Sequence, residues 1–541
     1  MREWTVGEVL DIVADTVPDR VMTVCGSRRG TFADTASRTR SLAGYLASRG
    51  LGVHAERATL DRWECGQDRV AVVMHNDLYL DVYLGCLRAR VVPVNVNHHY
   101  TPPEIAALLG LVRPSGVICH RSLAHLLVDT MPPGVDVVIV VEDGDGPDLP
   151  GAVSLDAALE LGAGAESAQS VPDDLMMVCT GGTTGLPKGV LWRQGDAYLS
   201  LMTGMDHADT AELVGHIPGE GEPYFGLSPL MHAAGLSTAL SAVMAGRTAV
   251  VHDNRGPFDA RSVLETVERE QVRILTIVGD AHAGLLVTEL RTGSYELPHL
   301  IGIGSGGAAI NTRHKAALLE LLPHIVVLDT FGSSETGGMA TGPSMSNALS
   351  DTMVMHPTGR VVSADRSRFL TGGEGELGWI ARTGRVPLGY FDDREATLRT
   401  FPEIDGVRVS IPGDRALVEA DGSIRLRGRD SLVVNSGGEK IFVEEVEDVL
   451  RGHPAVADAL AVGRPSDRWG SEIVAVVAFG PGDALPLGEL LEYVATRLAR
   501  FKVPKEVVVV ERVERLANGK ANYGWARGVV AGGRATADVT N

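Results

Sequence analysis

TGGTTGLPKG, residues 180–189, directly follows the apolar run LMMVC at 175–179. An apolar run that opens into glycines and threonines and ends in a lysine is typical of a strand that feeds a phosphate-binding loop. The glycines let backbone N–H groups converge on an anion, the threonine hydroxyls add donors, and Lys188 adds a mobile positive charge. A flexible surface turn is the alternative, but such a turn needs neither the threonines nor the lysine. The stretch therefore predicts a nucleotide phosphate site.

This loop is not a Walker A motif. Lys188 follows Pro187 and precedes Gly189, whereas the Walker motif has glycine before its lysine and serine or threonine after it. The sequence therefore indicates another kind of nucleotide-binding arrangement.

Length and charge restrict the class of protein. With 541 residues, of which 44% are hydrophobic, the chain is long enough for several structural units with large cores. Its net charge is −20 and it has no basic block, so most of its surface would repel a nucleic-acid backbone or an anionic membrane, and we expect no nucleic-acid partner. Small molecules are the expected ligands.

Cysteine usage and hydropathy predict a cytoplasmic protein. The five cysteines stand far apart and form neither a CxxC pair nor a zinc-binding spacing, so they are expected to be reduced core thiols. The N-terminal stretch MREWTVGEVLDIVADTVPDR has helical spacing and lacks the pattern of a signal or transit peptide. No apolar run reaches the ~18 residues of a spanning helix, so we expect no integral membrane association.

The first third of the chain alternates helical and strand patterns. Residues 35–51 carry apolar residues at the spacing of an amphipathic helix. The β-branched runs at 69–74 and 91–96 bracket a helical pattern at 78–88, which predicts a βαβ unit.

A second glycine motif favours a competing function. LIGIGSGG at 300–307 contains GxGxxG and is followed by a helical pattern, a strand pattern and Asp329, the context of a Rossmann dinucleotide site. An NAD-dependent oxidoreductase is therefore an alternative hypothesis. Against it, the loop at 180–189 would then have no role.

Two further stretches contain candidate functional residues. DTFGSSETG at 329–337 combines an aromatic face, hydroxyl donors and Glu335, which suits a nucleotide and Mg²⁺, although a polar loop with a solvated glutamate is the alternative. His232 follows a strand pattern, where a lone histidine is more often structural than functional.

The residue patterns in the last quarter of the chain predict a separate small α/β domain. SGGEK at 436–440 is a second glycine loop, and helical and strand patterns follow it to about residue 510. NGK at 518–520 puts Lys520 on a turn, where an ordinary exposed lysine is the alternative to a functional one.

These motifs occur together, and in this order, in one family. The chain resembles the acyl-adenylate-forming superfamily of acyl-CoA synthetases, adenylation domains and luciferases over nearly its whole length. TGGTTGLPKG resembles the phosphate loop of that family, DTFGSSETG its adenine and magnesium motif, GYFDDREAT with PGD and GRD its ribose and hinge motifs, and NGK its catalytic-lysine motif. WRQGD and VNSGGEKIFVEEVE are most similar to actinobacterial fatty and steroid acyl-CoA synthetases.

The resemblance implies a role for each matching residue. ATP or AMP would be bound by Thr180, Gly181, Gly182, Thr183, Thr184, Gly185, Lys188, Gly306, Gly307, Ala308, Asp329, Thr330, Phe331, Gly332, Ser333, Ser334, Asp414 and Arg429. The catalytic residues would be Lys520, Glu335 and His232, with Glu335 also ligating Mg²⁺. The acyl pocket would include His232, Ala233, Gly235, Gly279 and Gly304, the coenzyme A loop Gly437, Gly438 and Glu439, and the hinge Asp430 and Ser431.

The resemblance also implies the fold and the reaction. We expect a mixed α/β protein with a large N-terminal adenylation domain at 1–428, built of βαβ layers and a small β-barrel-like part. A small mobile α/β domain at 429–541 would carry the catalytic lysine. The expected activity is an ATP- and Mg²⁺-dependent acyl-CoA synthetase that forms an acyl-AMP, releases pyrophosphate and then makes the coenzyme A thioester.

Departures from the family pattern leave alternatives open. Ser431 stands where the family hinge usually has Asp or Lys, with Asp430 one place early, so an enzyme that adenylates well but thioesterifies poorly is an alternative. Small residues near the acyl pocket favour a bulky apolar acid, and a steroid- or terpenoid-derived acid is expected ahead of a linear fatty acid or an aryl acid. A homodimer is expected only from its general frequency among proteins.

Overall fold

The computed structural model describes residues 2–181, 187–307, 310, 312–350, 352–429, 433–480, 485–514, 522–532 and 536–538. Helices, numbered in chain order, are α1 Val6–Thr16, α2 Phe32–Ser48, α3 Tyr79–Arg88, α4 Pro102–Val112, α5 Leu155–Gly162, α6 Gln194–Ser200, α7 Thr210–Gly215, α8 Ala233–Met244, α9 Ala260–Arg269, α10 Gly279–Thr292, α11 Thr312–Leu321, α12 Arg394–Thr400, α13 Val443–Arg451, α14 Leu487–Ala495 and α15 Tyr523–Ala531. Short 3-10 turns occur at Arg57–Thr59, Arg121–Leu126 and Arg500–Lys502.

Strands are numbered in the same way. The first fifteen are β1 Val21–Cys25, β2 Arg28–Thr31, β3 Arg69–Val73, β4 Val92–Asn95, β5 Gly116–His120, β6 Val137–Val141, β7 Val153–Ser154, β8 Leu175–Gly181, β9 Pro187–Arg193, β10 Tyr224–Gly226, β11 Ala249–Val251, β12 Ile274–Ile277, β13 Gly302–Gly306, β14 Val326–Ser333 and β15 Gly337–Ser344. The others are β16 Val354–Met355, β17 Gly359–Val362, β18 Gly378–Arg382, β19 Gly389–Tyr390, β20 Glu403–Ile404, β21 Val407–Arg408, β22 Asp414–Val418, β23 Ile424–Arg429, β24 Val433–Ser436, β25 Glu439–Phe442, β26 Val456–Ser466, β27 Gly470–Phe479, β28 Glu506–Val509 and β29 Thr536–Asp538.

Two large sheets dominate the part of the chain before residue 430. Within the described residues, one sheet has the order β16-β15-β14-β13-β12-β10-β11-β1-β2 and the other β19-β9-β8-β4-β3-β5-β6-β7. Their central strands are parallel, and β3, α3 and β4 form the βαβ unit that the sequence predicts. The mixed α/β fold class is confirmed.

The residues of β3 show why its sequence is continuously apolar. Val70 and Val72 pack into the core between the two sheets, whereas Ala71 and Val73 pack against the opposite face of their sheet. Successive side chains of a strand point to opposite faces, so a strand covered on both faces is apolar at every position.

Local sequence signals set the starts of two helices. The Thr31 hydroxyl accepts from the N–H of Asp34 at 3.1 Å, and the N–H of Thr31 donates to the Asp34 carboxylate at 3.1 Å, which makes a capping box for α2. Thr101 and Glu104 form the same arrangement before α4, and Pro102 is the first residue of that helix, a position that suits proline because its missing N–H would have no partner within the helix.

The remaining sheets are smaller. The strands β17-β18-β22-β23 form a four-stranded antiparallel sheet, and the small β-barrel-like part stays a prediction. Beyond it, β24 and β25 make a hairpin, and β26 to β29 form a sheet that is covered by α13, α14 and α15. The predicted boundary between 428 and 429 falls at the end of β23, and the division into two domains stays a prediction.

Cysteine burial follows the expectation for core thiols. Cys25, Cys86 and Cys119 are buried, Cys65 and Cys179 are partly buried, and all five are free thiols. Over the described part of the chain, no helix combines the length and the apolar character needed to cross a bilayer.

Candidate active site

A cavity of about 340 Å³ lies at the carboxyl ends of the parallel strands β12, β13 and β14. Ligands of open α/β sheets usually bind at such an edge, because the loops that leave the strands surround it. Many of the sequence-predicted site residues line this cavity: His232, Ala233, Gly304, Gly306, Gly307, Thr330, Phe331, Gly332, Ser333, Ser334, Gly438 and Glu439. The structure therefore brings together residues from distant motifs.

His232 lines the cavity from the N-cap position of α8. Its Nε2 lies 3.1 Å from Oε1 of Glu439, and the two side chains are 28% and 19% exposed. Burial lowers the pKa of His232, but the Glu439 carboxylate outweighs it, so the pKa is raised. Burial raises the pKa of Glu439, and the imidazole beside it reverses the direction, so that pKa is lowered. Both shifts favour a charged pair.

Two glycines allow the loop before Glu439 to approach the cavity closely. Gly438 has φ +87°, and a Cβ at this position would lie 2.5 Å from Cγ1 of Val278. Gly437 has φ +57°, and its N–H donates to the carbonyl of Trp469 at 2.9 Å. Because an L side chain would be strained in this conformation and would clash at Gly438, the close contact depends on glycine.

Glu335 lies in the tight connection between β14 and β15. Its Oε1 accepts from the Tyr390 hydroxyl at 2.9 Å, and its backbone carbonyl accepts from the Ser410 hydroxyl at 2.7 Å. The turn is closed by the N–H of Ser333, which donates to the Thr336 hydroxyl at 3.0 Å. These bonds hold a half-buried carboxylate in one place, and carboxylate oxygen is a suitable ligand for Mg²⁺.

Lys188 is held by two residues to which the sequence assigns no separate role. Its Nζ lies 3.2 Å from Oδ2 of Asp393 and 5.0 Å from the centroid of the Tyr390 ring. Burial raises the pKa of Asp393, but the Ala396 N–H and Lys188 outweigh it and the pKa is lowered. Tyr390 and Asp393 belong to GYFDDREAT, so the signal for them was present in that motif.

The nucleotide motif is tied to its surroundings by polar contacts. Asp329 accepts from the N–H of Ile310 at 3.2 Å and pairs with Lys315 of α11. The Trp192 indole N–H donates to the carbonyl of Ser334 at 2.9 Å, a contact that the sequence does not reveal. Asp414 is buried in β22 and faces Arg429 of β23 in the strand register. The predicted nucleotide roles of these residues stay predictions.

Two predicted pocket glycines lie outside the cavity lining. A Cβ on Gly235 would meet the backbone carbonyl oxygens of Ser228 and Pro229, so close packing at the start of α8 explains this glycine. Gly279 has φ +51° and donates its N–H to the Ser305 hydroxyl at 2.9 Å, at the start of α10.

Several predicted residues lie outside the described residues: Gly182, Thr183, Thr184, Gly185, Ala308, Asp430, Ser431 and Lys520. Thr180, Gly181 and Arg429 are described only through their places in β8 and β23. Their predicted roles rest on the sequence alone.

The GxGxxG stretch does not have the geometry of a dinucleotide site. Gly302 and Gly304, the first two glycines of the motif, lie within β13, paired with β12 and β14, and the third, Gly307, follows the end of that strand. In a Rossmann motif these glycines form the turn between strand and helix, where they let the pyrophosphate approach the backbone. The oxidoreductase alternative is not supported.

Comparisons with known proteins cover almost the entire chain. The family model described as AMP-binding enzyme matches residues 10–390, and the model described as AMP-binding enzyme C-terminal domain matches residues 445–520. The medium-chain acyl-CoA ligase Mig of Mycobacterium avium is 42% identical over 537 residues, which is 97% of this chain and 98% of that protein. The 3-oxocholest-4-en-26-oate--CoA ligase of Rhodococcus rhodochrous is 32% identical over 551 residues, 96% of this chain and 95% of that protein.

Solved structures support the fold. An o-succinylbenzoate CoA synthetase of Bacillus subtilis, bound with a product analogue, matches with a TM-score of 0.77 at 21% identity and covers 100% of both chains. An amide bond synthetase from Marinactinospora thermotolerans matches with a TM-score of 0.76 at 20% identity, over 96% of this chain and 99% of that chain. At such identities the likeness shows the fold alone.

Proposed function

Because the chain belongs to the AMP-binding enzyme family, we propose that it is an ATP-dependent acyl-CoA synthetase for hydrophobic carboxylic acids. The acid would first become an acyl-AMP with release of pyrophosphate, and the acyl group would then pass to coenzyme A. Two acyl-CoA ligases that match nearly the whole chain support this proposal.

The adenylation step requires positioning and charge neutralisation more than proton transfer. A carboxylate is ionised at neutral pH, so its attack on the α-phosphorus needs no general base. Lys520 would offset the charge that develops on the α-phosphate, and the glycine-threonine loop with Lys188 would hold the departing pyrophosphate. Mg²⁺ bound at Glu335 would offset part of the phosphate charge. The side chain fits this metal because it presents carboxylate oxygen and stands next to Ser334, which lines the cavity.

The contact between His232 and Glu439 is the observation that carries the thioester half of the proposal. It brings the SGGEK loop to the rim of the cavity, and Gly438 and Glu439 become part of the lining. In this arrangement the thiol sulfur of coenzyme A would replace the AMP oxygen on the acyl carbon, and AMP would leave. This contact argues against the alternative that the sequence raises from Ser431, an enzyme that adenylates well but thioesterifies poorly.

The acid is proposed to be a medium-chain fatty acid, with a steroid side-chain acid as the second candidate. The sequence alone favours the bulkier class, but the relative with 42% identity carries the name of a medium-chain ligase. The cavity is lined by apolar side chains such as Leu201, Met231 and Val278, which suits either acid. A cytoplasmic location and a homodimer remain predictions.

A panel of acids tests the proposal in two assays. ATP–pyrophosphate exchange measures adenylation, and chromatography of AMP and acyl-CoA measures the complete reaction, for linear acids of increasing length and a 3-oxosteroid side-chain acid. We expect exchange with hydrophobic acids and equal amounts of AMP and acyl-CoA. AMP release with little acyl-CoA would favour the alternative of an enzyme that thioesterifies poorly, and no exchange with any acid would reject the proposed function.

A further inference from the structure

Lys502 forms a buried ion cluster where the part of the chain after residue 433 meets the part before residue 430. Its Nζ lies 2.7 Å from Oε1 of Glu104 and 2.9 Å from Oε1 of Glu445, and its side chain is 6% exposed. Glu104 belongs to α4, Glu445 to α13 and Lys502 to the 3-10 turn at Arg500–Lys502. We call these three residues the Lys502 clasp.

The Glu104 side chain is also held in place by contacts other than the one with Lys502. Its other oxygen, Oε2, accepts from the N–H of Thr101 at 2.8 Å and from the Thr101 hydroxyl at 2.9 Å. The Thr101 hydroxyl also lies 3.4 Å from the carbonyl of Arg497, and Nζ of Lys502 lies 4.9 Å from the Tyr100 ring centroid. The capping box of α4 therefore presents a fixed acceptor to the lysine.

Because its charges are buried, the stability of the Lys502 clasp depends on how close the three side chains lie to one another. The glutamate side chains of Glu104 and Glu445 are 12% and 14% exposed, so all three charges have lost most of their contact with water. Burial raises the pKa of Glu445, although Lys502 opposes the shift. A buried charge is costly unless its partner is close, so the cluster favours the arrangement in which all three groups meet.

The clasp is connected to the cavity through α13. Glu439 and Glu445 lie at the two ends of one short segment, β25 followed by the first turn of α13. Holding Glu445 against Lys502 and Glu104 therefore also fixes where Glu439 lies relative to His232. Side chains that fix the position of such a segment can determine the geometry of a reacting site even though they do not contact the substrate.

We propose that the Lys502 clasp positions the SGGEK loop for thioester formation, with Glu104 as a positioning residue that acts through Lys502. The inference rests on the proposed function. Adenylation is expected not to need the clasp, because the phosphate loop, Glu335 and the adenine motif lie outside it.

Glu104→Gln is the informative variant. Glutamine keeps an acceptor for the capping box of α4 and removes the charge that faces Lys502. Lys502 itself lines the cavity, so its replacement would combine two effects. Glu445→Gln removes the other carboxylate charge that faces Lys502. It replaces Glu104→Gln as the test variant if Glu104→Gln does not fold. Glu492→Gln is the matched control, because Glu492 is exposed on α14 and lies outside the motifs assigned to the site.

The two half-reactions are measured on the full-length chain with ATP, Mg²⁺, an accepted acid and coenzyme A. For Glu104→Gln we expect pyrophosphate exchange within about twofold of the unaltered protein and acyl-CoA formation lowered about tenfold, with acyl-AMP accumulating. The control should retain both rates. Unchanged acyl-CoA formation, or an equal fall in both rates, would overturn the proposed role of the Lys502 clasp without contradicting the proposed function. No exchange by the unaltered protein would reject the proposed function, and the clasp with it.

Discussion

His232 and Glu439 are 207 positions apart in the chain, yet Nε2 of the histidine lies 3.1 Å from Oε1 of the glutamate. His232 stands at the N-cap position of α8 beside the cavity, and Glu439 follows the glycine loop that precedes α13. The contact links the cavity to the part of the chain that is proposed to serve the thioester step.

Glu439→Gln tests this contact. The variant removes the charge that raises the pKa of His232, and we expect acyl-CoA formation to fall about tenfold while pyrophosphate exchange persists. The exposed Glu492 provides a control in Glu492→Gln, which should change neither rate. Parallel loss of both activities in Glu439→Gln would show that the contact serves something other than the thioester step.

The same contact predicts a pH dependence. The raised pKa of His232 means that its attraction to Glu439 is complete below about pH 6.5 and is lost as the pH rises through the raised value. The lowered pKa of Glu439 keeps its carboxylate charged in that range. The ratio of acyl-CoA formation to pyrophosphate exchange should therefore decline at alkaline pH. In Glu439→Gln this decline should be absent; a decline that persists in the variant would assign it to another group.

Gly438→Ala tests the close approach of the loop. The added Cβ would lie 2.5 Å from Cγ1 of Val278, so the loop is expected to withdraw and acyl-CoA formation to fall more than about tenfold, with exchange retained. Gly422→Ala is a matched control, because Gly422 has φ +84° and nothing lies within 4 Å of the position that an added methyl group would take. The control should lose about 1–2 kcal/mol of unfolding free energy and keep both activities. Similar kinetic losses in both variants would attribute the effect to backbone strain.

The two lysines are expected to act at different points of adenylation. Lys188→Ala should mainly raise the KM for ATP, because Lys188 lies near Asp393 and Tyr390 at the end of the phosphate loop. Lys520→Ala should lower pyrophosphate exchange about 10²–10³-fold and spare ATP binding, which equilibrium binding measures. Equal loss of exchange with unchanged ATP affinity in both variants would reject this division of roles.

Glu335→Gln tests the metal assignment. Replacing the carboxylate with an amide should raise the Mg²⁺ concentration needed for half-maximal exchange by about 10–100-fold. Tyr390→Phe removes the hydroxyl that donates to Oε1 of Glu335 at 2.9 Å, and we expect a smaller shift in the same direction. An unchanged Mg²⁺ requirement in Glu335→Gln would place the metal elsewhere.

Much of the local structure was predictable from residue patterns. The runs at 69–74 and 91–96 became the parallel strands β3 and β4, because β-branched residues covered on both faces leave few other conformations. GIGSGG shows the limit of a motif: its pattern fits a dinucleotide turn, but Gly302 and Gly304 lie inside β13, where strand pairing overrides the local signal.

The sequence by itself determined the family, the order of the motifs and the types of residue that the chemistry needs, since these are local properties of the chain. Only the tertiary structure decided which of those residues meet. Lys502 and Glu104 are 398 positions apart, and no motif that contains one of them indicates a contact with the other. Such contacts arise from how sheets and helices pack, and each ion pair must outweigh the loss of hydration that burial imposes.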